Sequence, residues 1–433
     1  MLRIITQSAE IQTELERIRD RPYSDEIQGK EIAVAEILER IKHHGDLGLL
    51  DPLQRPLNPK QLQVSGSELD AAYQQIPKEL LDAISLAAQQ LERFHRQQLP
   101  KSWVKFEADD VVVARRYTPV KRAGLYVAGE QASRLSRVLM QGIPAKVAQV
   151  PEIVLVTPSD AQGKIHPDIL VAAQIVGIQE IYRLGGATAI GALAYGTQTL
   201  PKVEVITGTG GLDVTLAKKM VYGTVTLDHP LDASELFIIA DRKANSPQIA
   251  ADFLAQVEQD PSAAVILLTP DLPLAQMVQK KVREQLQDNA HGILASKAIA
   301  HYGLIGVVDS IGQAIAITNQ FAPPTLMLAI AEPWDFVEQI RAVGTVLMGG
   351  TTPKAIGDYL GSSGVILPPA GLIRYATTVG VDTFLKPSNL IEYSPLALKK
   401  LAHTLELLAL AEGFPASAEA IRVRLQGETE FSD

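Results

Sequence analysis

The 433-residue chain contains no cysteine, which excludes disulfide bonds, thiolate zinc sites and cysteine nucleophiles. It has no run of 18 apolar residues, so we expect no membrane span, and it has no basic cluster. Its formal net charge of −9 disfavours both general nucleic-acid binding and attraction to anionic membrane surfaces. The N-terminal segment MLRIITQSAEIQTELERIRD becomes charged too early for a signal peptide. We therefore expect a cytoplasmic protein without nucleic-acid or membrane partners.

What the chain does contain is typical of a globular protein, with 46% apolar and 21% charged residues. Its length predicts two or more domains. An early helix is predicted to end at Gly45, because its apolar residues recur near a 3.6-residue period. These residues are Ile32, Val34, Ile37, Leu38 and Ile41. A second helix is predicted from about Pro77 to Gln98, and the region from Pro395 to Gln426 is predicted to be helical, with Ser394 as its cap.

From about Ala123, short β-branched runs alternate with helix-length amphipathic stretches, which indicates parallel βαβ units. The predicted strands are GLYVAG, EIVLVTP, EIYRLGG and VEVITG, then SELFIIAD, AVILLTP, IGVVD, TLMLAI and TVLMGG. EIVLVTPSD (152–160) resembles AVILLTPDL (264–272). The similarity favours two related halves, although short apolar strands often look alike.

Six segments of the chain resemble the histidinol dehydrogenase family, and the likeness runs from about Ile32 to Leu425. They are AGLYVAGE, VLMQGIPAKVAQV, RLGGATAIGALAYGTQTLPKV, DVTLAKKMVYGTV, TPKAIGDYLG and VDTFLKPSNLIEYSPLAL. The resemblance implies an α/β fold of two Rossmann-like parallel-sheet domains with helical N- and C-terminal extensions, assembled as an intertwined homodimer. It also implies one zinc per subunit and an NAD-dependent, two-step oxidation of an amino alcohol to an amino acid.

The resemblance further implies a division of the chain into four parts. An N-terminal helical extension covers residues 1–22, and the first Rossmann-like domain covers 23–123 plus 235–376. The second Rossmann-like domain covers 124–234, and a C-terminal helical dimerisation extension covers 377–433. The run SPLALKKLAHTLELLALAEG in this extension supplies an apolar face of the kind found in obligate interfaces.

The family's proton-transfer pair is missing from the matching segment, NQFAPPTLML (319–328). The resemblance places a Glu-His pair at Pro324 and Thr325. Proline has no functional group, and a threonine hydroxyl takes up no proton near neutral pH. A substrate-holding histidine of the family falls at Val365. We therefore predict no catalytic residue of the family's type in this chain.

The metal site is also altered. The resemblance places four zinc ligands, of which Gln256 and Asp358 are retained, while Gln259 and Ser417 replace two histidines. Amide and hydroxyl oxygens are weak, neutral substitutes for imidazole at zinc, so we expect no metal. A substrate-type pocket is still predicted from polar residues at the family's site positions. They are Ser234, Gln256, Gln259, Thr325, Asp358, Glu412 and Ser417.

The dinucleotide site shows similar changes. No GxGxxG occurs, but GTGG (208–211) follows a predicted strand and precedes a predicted helix, so its amides could hold an anion. The resemblance places cofactor contacts at Tyr126, Thr188 and Gly211, and only Tyr126 keeps the family's residue. Glu130 adds a carboxylate that would repel a pyrophosphate. We therefore expect neither NAD nor zinc to be bound tightly.

These substitutions lead to three hypotheses and leave open whether the chain is an enzyme. The main prediction is a pseudoenzyme without histidinol oxidation, which keeps its scaffold and dimer for a binding or regulatory role with a small-molecule ligand. The first alternative is a metal-independent or altered-substrate NAD-linked oxidoreductase on the same scaffold. The second alternative is a true histidinol dehydrogenase of histidine biosynthesis with atypical site residues.

Overall fold

The computed structural model describes residues 2–20, 26–49, 59–128, 134–228, 235–258, 262–287, 292–361 and 371–426. Its strands are β1 (Arg3–Ile5), β2 (Trp103–Phe106), β3 (Val112–Pro119), β4 (Arg122–Tyr126), β5 (Glu152–Thr157), β6 (Glu180–Arg183), β7 (Val205–Thr207), β8 (Thr226–Leu227), β9 (Glu235–Ala240), β10 (Ala264–Thr269), β11 (Gly303–Val307), β12 (Thr325–Ala329), β13 (Thr345–Met348) and β14 (Leu385–Glu392). None of the helices in these ranges is long and apolar enough to cross a membrane.

The helices alternate with the strands over most of the chain. They are α1 (Ser8–Arg19), α2 (Glu26–His44), α3 (Pro59–Leu62), α4 (Gly66–Gln75), α5 (Lys78–Arg96), α6 (Leu135–Val147), α7 (Pro167–Val176), α8 (Gly186–Tyr195), α9 (Leu212–Val221), α10 (Ser246–Val257), α11 (Leu272–Gln287), α12 (Gly292–Tyr302), α13 (Ile311–Phe321), α14 (Lys354–Ile356), α15 (Pro395–Ala411) and α16 (Pro415–Gln426). Helices α2 and α5 confirm the two predicted from apolar periodicity. Ile32, however, is 65% exposed and lies outside the buried face of α2.

The chain divides into two compact units. The first comprises Met1–Leu99 and Val120–Phe384, and the second comprises Pro100–Pro119 and Leu385–Asp433. Two parallel sheets lie in the first unit, and an antiparallel sheet with α15 and α16 lies in the second. The four-part division implied by the resemblance stays a prediction.

Both parallel sheets of the first unit have the same strand order. The five-stranded sheet has the order β6-β5-β4-β7-β8, and the six-stranded sheet has the order β1-β11-β10-β9-β12-β13. Without the edge strand β1, each sheet reads 3-2-1-4-5 in order of appearance, and every strand pair in both is parallel. This is the doubly wound arrangement of nucleotide-binding folds. The predicted α/β class with two Rossmann-like parallel-sheet domains is confirmed.

The repeated segment found in the sequence occupies equivalent places in these two sheets. EIVLVT forms β5 and AVILLT forms β10, and, when the edge strand β1 is left out, each is the second strand of its sheet in order of appearance. All nine predicted strands are present, as β4 to β7 and β9 to β13. Their apolar residues are buried because helices cover both faces of a parallel sheet. The six-stranded sheet packs α10, α11 and α12 against one face and α1 and α13 against the other.

The second unit contains a sheet that the sequence analysis did not predict. Strand β3 pairs antiparallel with β14 along eight positions and with β2 along four. After β14, helix α15 begins with Pro395 in its first turn, and the Ser394 hydroxyl accepts a hydrogen bond from the Ala397 N–H at 3.1 Å, which confirms the predicted cap. The predicted helical region is two helices, because Gly413 adopts a φ of 78° between α15 and α16.

Candidate functional site

The carboxyl ends of β4 and β7 form the crevice expected of a doubly wound sheet. After β4 the chain continues to β5 on one side, and after β7 it continues to β8 on the other side. In a doubly wound sheet, such a reversal opens a binding crevice between the two strands. Tyr126 ends β4. Thr207 ends β7 and leads into the GTGG loop at 208–211, the segment predicted to hold an anion.

Tyr126 is buried in this crevice and holds two of its elements together. Its hydroxyl accepts a hydrogen bond from the N–H of Gly186, the first residue of α8, at 3.2 Å. Its main-chain oxygen accepts a bond from Gln141 Nε2 at 3.2 Å. The Thr207 hydroxyl in turn donates to Gln141 Oε1 at 2.8 Å. The tyrosine therefore fixes the end of β4 relative to β7 and α8.

The loop after β7 is clamped by a buried ion pair. Gly208 has a φ of 111°, and a Cβ at this position would lie 1.9 Å from the Tyr126 main-chain oxygen, so only glycine fits. Lys218 Nζ donates to the Gly208 oxygen at 2.7 Å, and the Gly208 N–H donates to Asp228 Oδ2 at 2.8 Å. Sequence analysis missed both charged residues. The sequence does contain an indication of a buried lysine, because Lys218 has helical spacing from Val214 and Val221 on the apolar side of α9.

The N-termini of α8 and α9 meet at this loop and differ in how they are capped. The N–H of Ala187 in α8 donates to Asp213 Oδ2 at 3.2 Å. Helix α9 begins after Gly211 without a side-chain cap, so its first amides can accept an anion. Close by, Arg137 Nη1 donates to Thr209 Oγ1 at 2.6 Å and adds a positive charge.

The structure thus brings the three predicted cofactor residues to one crevice. Tyr126 contacts the start of α8, Thr188 lies in the first turn of that helix, and Gly211 precedes α9. The amides at the start of α9 and the Arg137 guanidinium are groups that bind phosphate oxygens, whereas the Asp213 carboxylate in the first turn of α9 opposes an anion there. Glu130 lies outside the described residues.

The two retained metal-ligand positions lie in helical segments, Gln256 in α10 and Asp358 after α14, where Asp358 forms an ion pair. Asp358 belongs to a π-helical turn over Gly357–Gly361, directly after α14. Lys354 Nζ donates to both carboxylate oxygens of Asp358 at 2.6 Å. The Lys354 N–H also donates to Asp252 Oδ1 at 2.9 Å. Asp252 and Gln256 are buried on α10, one helical turn apart.

Burial dominates the electrostatics of this cluster. It raises the pKa of Asp252, and the neighbouring Asp358 charge raises that pKa further, while the amide and ammonium of Lys354 oppose the shift. Burial also raises the pKa of Tyr359, and the Asp358 charge contributes in the same direction. Lys354 therefore provides the interactions that favour the charged form of Asp252.

Pro324 and Thr325 are built into the start of β12. Both are buried, and the Pro324 oxygen accepts bonds from the N–H groups of Gly344 and Thr345, at 3.1 and 2.9 Å. Thr325 pairs with Leu236 on one side and with Thr345 on the other. Neither residue supplies a group that titrates near neutral pH.

The remaining site positions implied by the resemblance fall into two groups. Ser234, Gln259 and Val365 lie outside the described residues. In the second unit, Glu412 ends α15 as its C-cap, and Ser417 lies exposed in α16.

The donors at the predicted metal position do not fit zinc. Within the described ranges, no three or more His, Cys, Asp or Glu side chains are grouped so that they could hold a metal ion. Asp358 is bound by an ammonium, and Gln256 offers a neutral amide. Zinc sites in proteins draw on imidazole, thiolate and carboxylate ligands, and this cluster supplies too few of them.

Comparison with known proteins gives a consistent assignment over nearly the whole chain. The family model described as histidinol dehydrogenase matches residues 20–425. The histidinol dehydrogenase of a Synechococcus strain is 53% identical over 430 residues, covering 98% of this chain and 99% of that protein. Histidinol dehydrogenase 2 of Trichormus variabilis is also 53% identical, with the same coverage. The crystal structure of histidinol dehydrogenase from Elizabethkingia anophelis has a TM-score of 0.90 at 32% identity and covers 99% of both chains.

These relatives correct the main prediction from the sequence. The substitutions at Pro324, Thr325, Gln259 and Ser417 led us to expect a pseudoenzyme with a binding or regulatory role. Proteins that match this chain from end to end at 53% identity are instead named histidinol dehydrogenases, so that prediction is wrong. The fold, the strand order of both parallel sheets and the similarity over 98% of its length show that the chain belongs to the histidinol dehydrogenase family.

Proposed function

We propose that this protein oxidises histidinol to histidine with NAD as the hydride acceptor. The observation that carries the proposal is the 53% identity over 430 residues to a protein named histidinol dehydrogenase. A shared fold alone would not assign an activity. The similarity here is closer than shared fold, because it extends through both parallel sheets, their connecting loops and the second unit.

The crevice between β4 and β7 supports the cofactor part of the proposal. The amides at the start of α9 and the Arg137 guanidinium would hold the pyrophosphate, and Tyr126 would pack beside the dinucleotide. When bound, NAD takes up hydride from the reacting carbon. The buried ion pair of Lys218 and Asp228 keeps the GTGG loop in place without depending on a ligand.

The proposal includes an altered route for the alcohol proton. Pro324 and Thr325 stand where the resemblance places the family's Glu-His pair, and neither takes up a proton near neutral pH. We propose that water accepts the proton in this chain. A positioned general base contributes ~10²–10⁴-fold to such reactions, so turnover should be slow. The pH-rate profile should rise steadily with hydroxide, and a plateau with a pKa near 7 would show that a side-chain base operates.

The decisive experiment measures NADH formation from histidinol by the purified full-length protein. An amino alcohol that lacks the imidazole ring serves as the substrate control and should give no NADH. The gene should also support growth of a histidine-requiring bacterium that lacks its own histidinol dehydrogenase. Absence of protein-dependent NADH together with absence of growth would refute the proposal.

We further propose that the protein is a homodimer. Support comes from α15, where Leu401, Leu405 and Leu408 recur at helical spacing and are all exposed. A second set of exposed residues, Leu407, Leu410 and Phe414, follows the same period. Such a surface is unusual on a monomer and typical of obligate interfaces.

A further inference from the structure

The bond between Lys354 and Asp358 differs from an ordinary ion pair on a helix surface. Lys354 Nζ lies 2.6 Å from both carboxylate oxygens, and the two side chains are only 13% and 17% exposed. Lys280 and Glu284 have the same four-residue spacing but lie 3.8 Å apart and are 76% and 45% exposed. Exposed pairs of the second kind contribute little to stability. Because the contact is bidentate and largely shielded from solvent, we conclude that the surrounding structure holds the Lys354 ammonium in one place.

A second carboxylate contacts the main chain of the same lysine. Asp252 on α10 is 8% exposed and accepts a hydrogen bond from the Lys354 N–H at 2.9 Å. Lys354 is thus held at two points, with its main-chain N–H bonded to Asp252 and its ammonium bonded to Asp358. Gln256, the retained neutral ligand position, lies one turn further along α10.

We propose that Lys354 is the resident cation of this site and that it excludes a divalent metal from Asp358. A metal ion bound to Asp358 would have to displace Nζ from both oxygens. The displaced ammonium would then remain close to a dication in a sheltered place, where like charges repel strongly. Only the consequence for catalysis rests on the proposed function: the chain would carry out its family's reaction with an internal ammonium where the resemblance places zinc.

The test begins with zinc titration of the purified full-length protein, followed by calorimetry and by thermal shift. The wild-type protein should show no saturable binding at micromolar zinc and no rise in melting temperature. A full equivalent of bound zinc that is lost in Asp358→Asn would overturn the inference. The titration of the wild-type protein requires no Lys354 variant, so it tests the inference even if substitution of Lys354 prevents folding.

Variants then test the role of the ammonium itself. Lys354→Met frees both carboxylate oxygens of Asp358, while the main-chain bond to Asp252 remains, and should tighten zinc binding by at least about tenfold. The added change Asp358→Asn should abolish the gain, and the control Lys280→Met, at the exposed pair of equal spacing, should behave as wild type. An unchanged zinc affinity in folded Lys354→Met would contradict the proposal.

Activity measurements separate this inference from the proposed function. Histidinol-dependent NADH formation that survives a strong chelator agrees with both. If a chelator abolishes the activity and zinc restores it, the inference fails and the function stands. If the protein binds no zinc and forms no NADH, the function fails and the inference stands.

Discussion

Lys218 and Asp228 form a buried ion pair, with 2.5 Å between Nζ and Oδ1, and both side chains are almost fully shielded from solvent. Each also bonds to the main chain of Gly208, so the pair fixes the loop at the crevice between β4 and β7. A lone buried charge is strongly unfavourable, whereas a pair with additional hydrogen bonds is tolerated. The cost of removing one partner should therefore be large.

We predict that Lys218→Met lowers the free energy of unfolding by about 3–5 kcal/mol, because Asp228 remains buried without its cation. Urea unfolding measures this change. The adjacent Lys219 is exposed, and Lys219→Met should stay within about 0.5 kcal/mol of wild type. Equal effects of the two substitutions would show that the pair does not stabilise the loop.

Tyr126→Phe should weaken cofactor binding without affecting the substrate. The change removes the acceptor for the Gly186 N–H, a neutral hydrogen bond with a net value of about 0.5–1.5 kcal/mol. The KM for NAD should rise roughly 2–10-fold, while the KM for histidinol stays constant. Tyr182→Phe is the matched control. Tyr182 lies on β6 of the same sheet, and its hydroxyl bonds to the main-chain oxygen of Thr199. A rise of similar size in the control would point to general damage of the sheet.

His95 should make the protein less stable at mildly acidic pH. Burial lowers the pKa of His95, although a hydrogen bond with Gln98 opposes the shift. Between the two pKa values, His95 is protonated in the unfolded chain but neutral in the folded protein. The free energy of unfolding therefore falls as the pH decreases through about 6.5, the ordinary histidine value, toward the lowered pKa. Above that window the group contributes no pH dependence.

The measurement compares unfolding free energies at pH 8 and pH 5.5. The decrease between these values should be smaller in His95→Gln than in wild type, whatever the absolute stability of the variant. His403→Gln, at an exposed position on α15, should keep the decrease of the wild type. Parallel curves for His95→Gln and wild type would contradict the assignment.

The sequence predicted the parallel sheets well because their strands are apolar runs buried on both faces. It did not predict β2, β3 and β14, which lack that pattern. All four residues of β2 are exposed, and β14 is exposed after its first residue and contains Pro387. Pairing across about 270 residues, as between Thr118 and Lys386, leaves no local signal.

Prediction of the site was less complete. Tyr126, Thr188 and Gly211 lie at one crevice because they follow or end parallel strands of one sheet, and their part in cofactor binding stays a prediction. Lys354 was not singled out, because the sequence shows its four-residue spacing from Asp358 but not the burial that makes the contact strong. The pseudoenzyme prediction depended on the four substituted positions Pro324, Thr325, Gln259 and Ser417, whereas the 53% identity to a protein named histidinol dehydrogenase extends over 430 residues.

Leu408→Lys should dissociate the proposed homodimer. Leu408 is 59% exposed on α15 and lies among other exposed leucines, so a charge there would be buried without a partner in an apolar interface. Light scattering should give about twice 46.8 kDa for the wild type and a smaller mass for the variant. Leu47→Lys is the control, because Leu47 is 72% exposed but lies in the first unit, away from α15 in the chain. If the wild type is monomeric at micromolar concentration, or if both variants remain dimers, α15 is not the dimer interface.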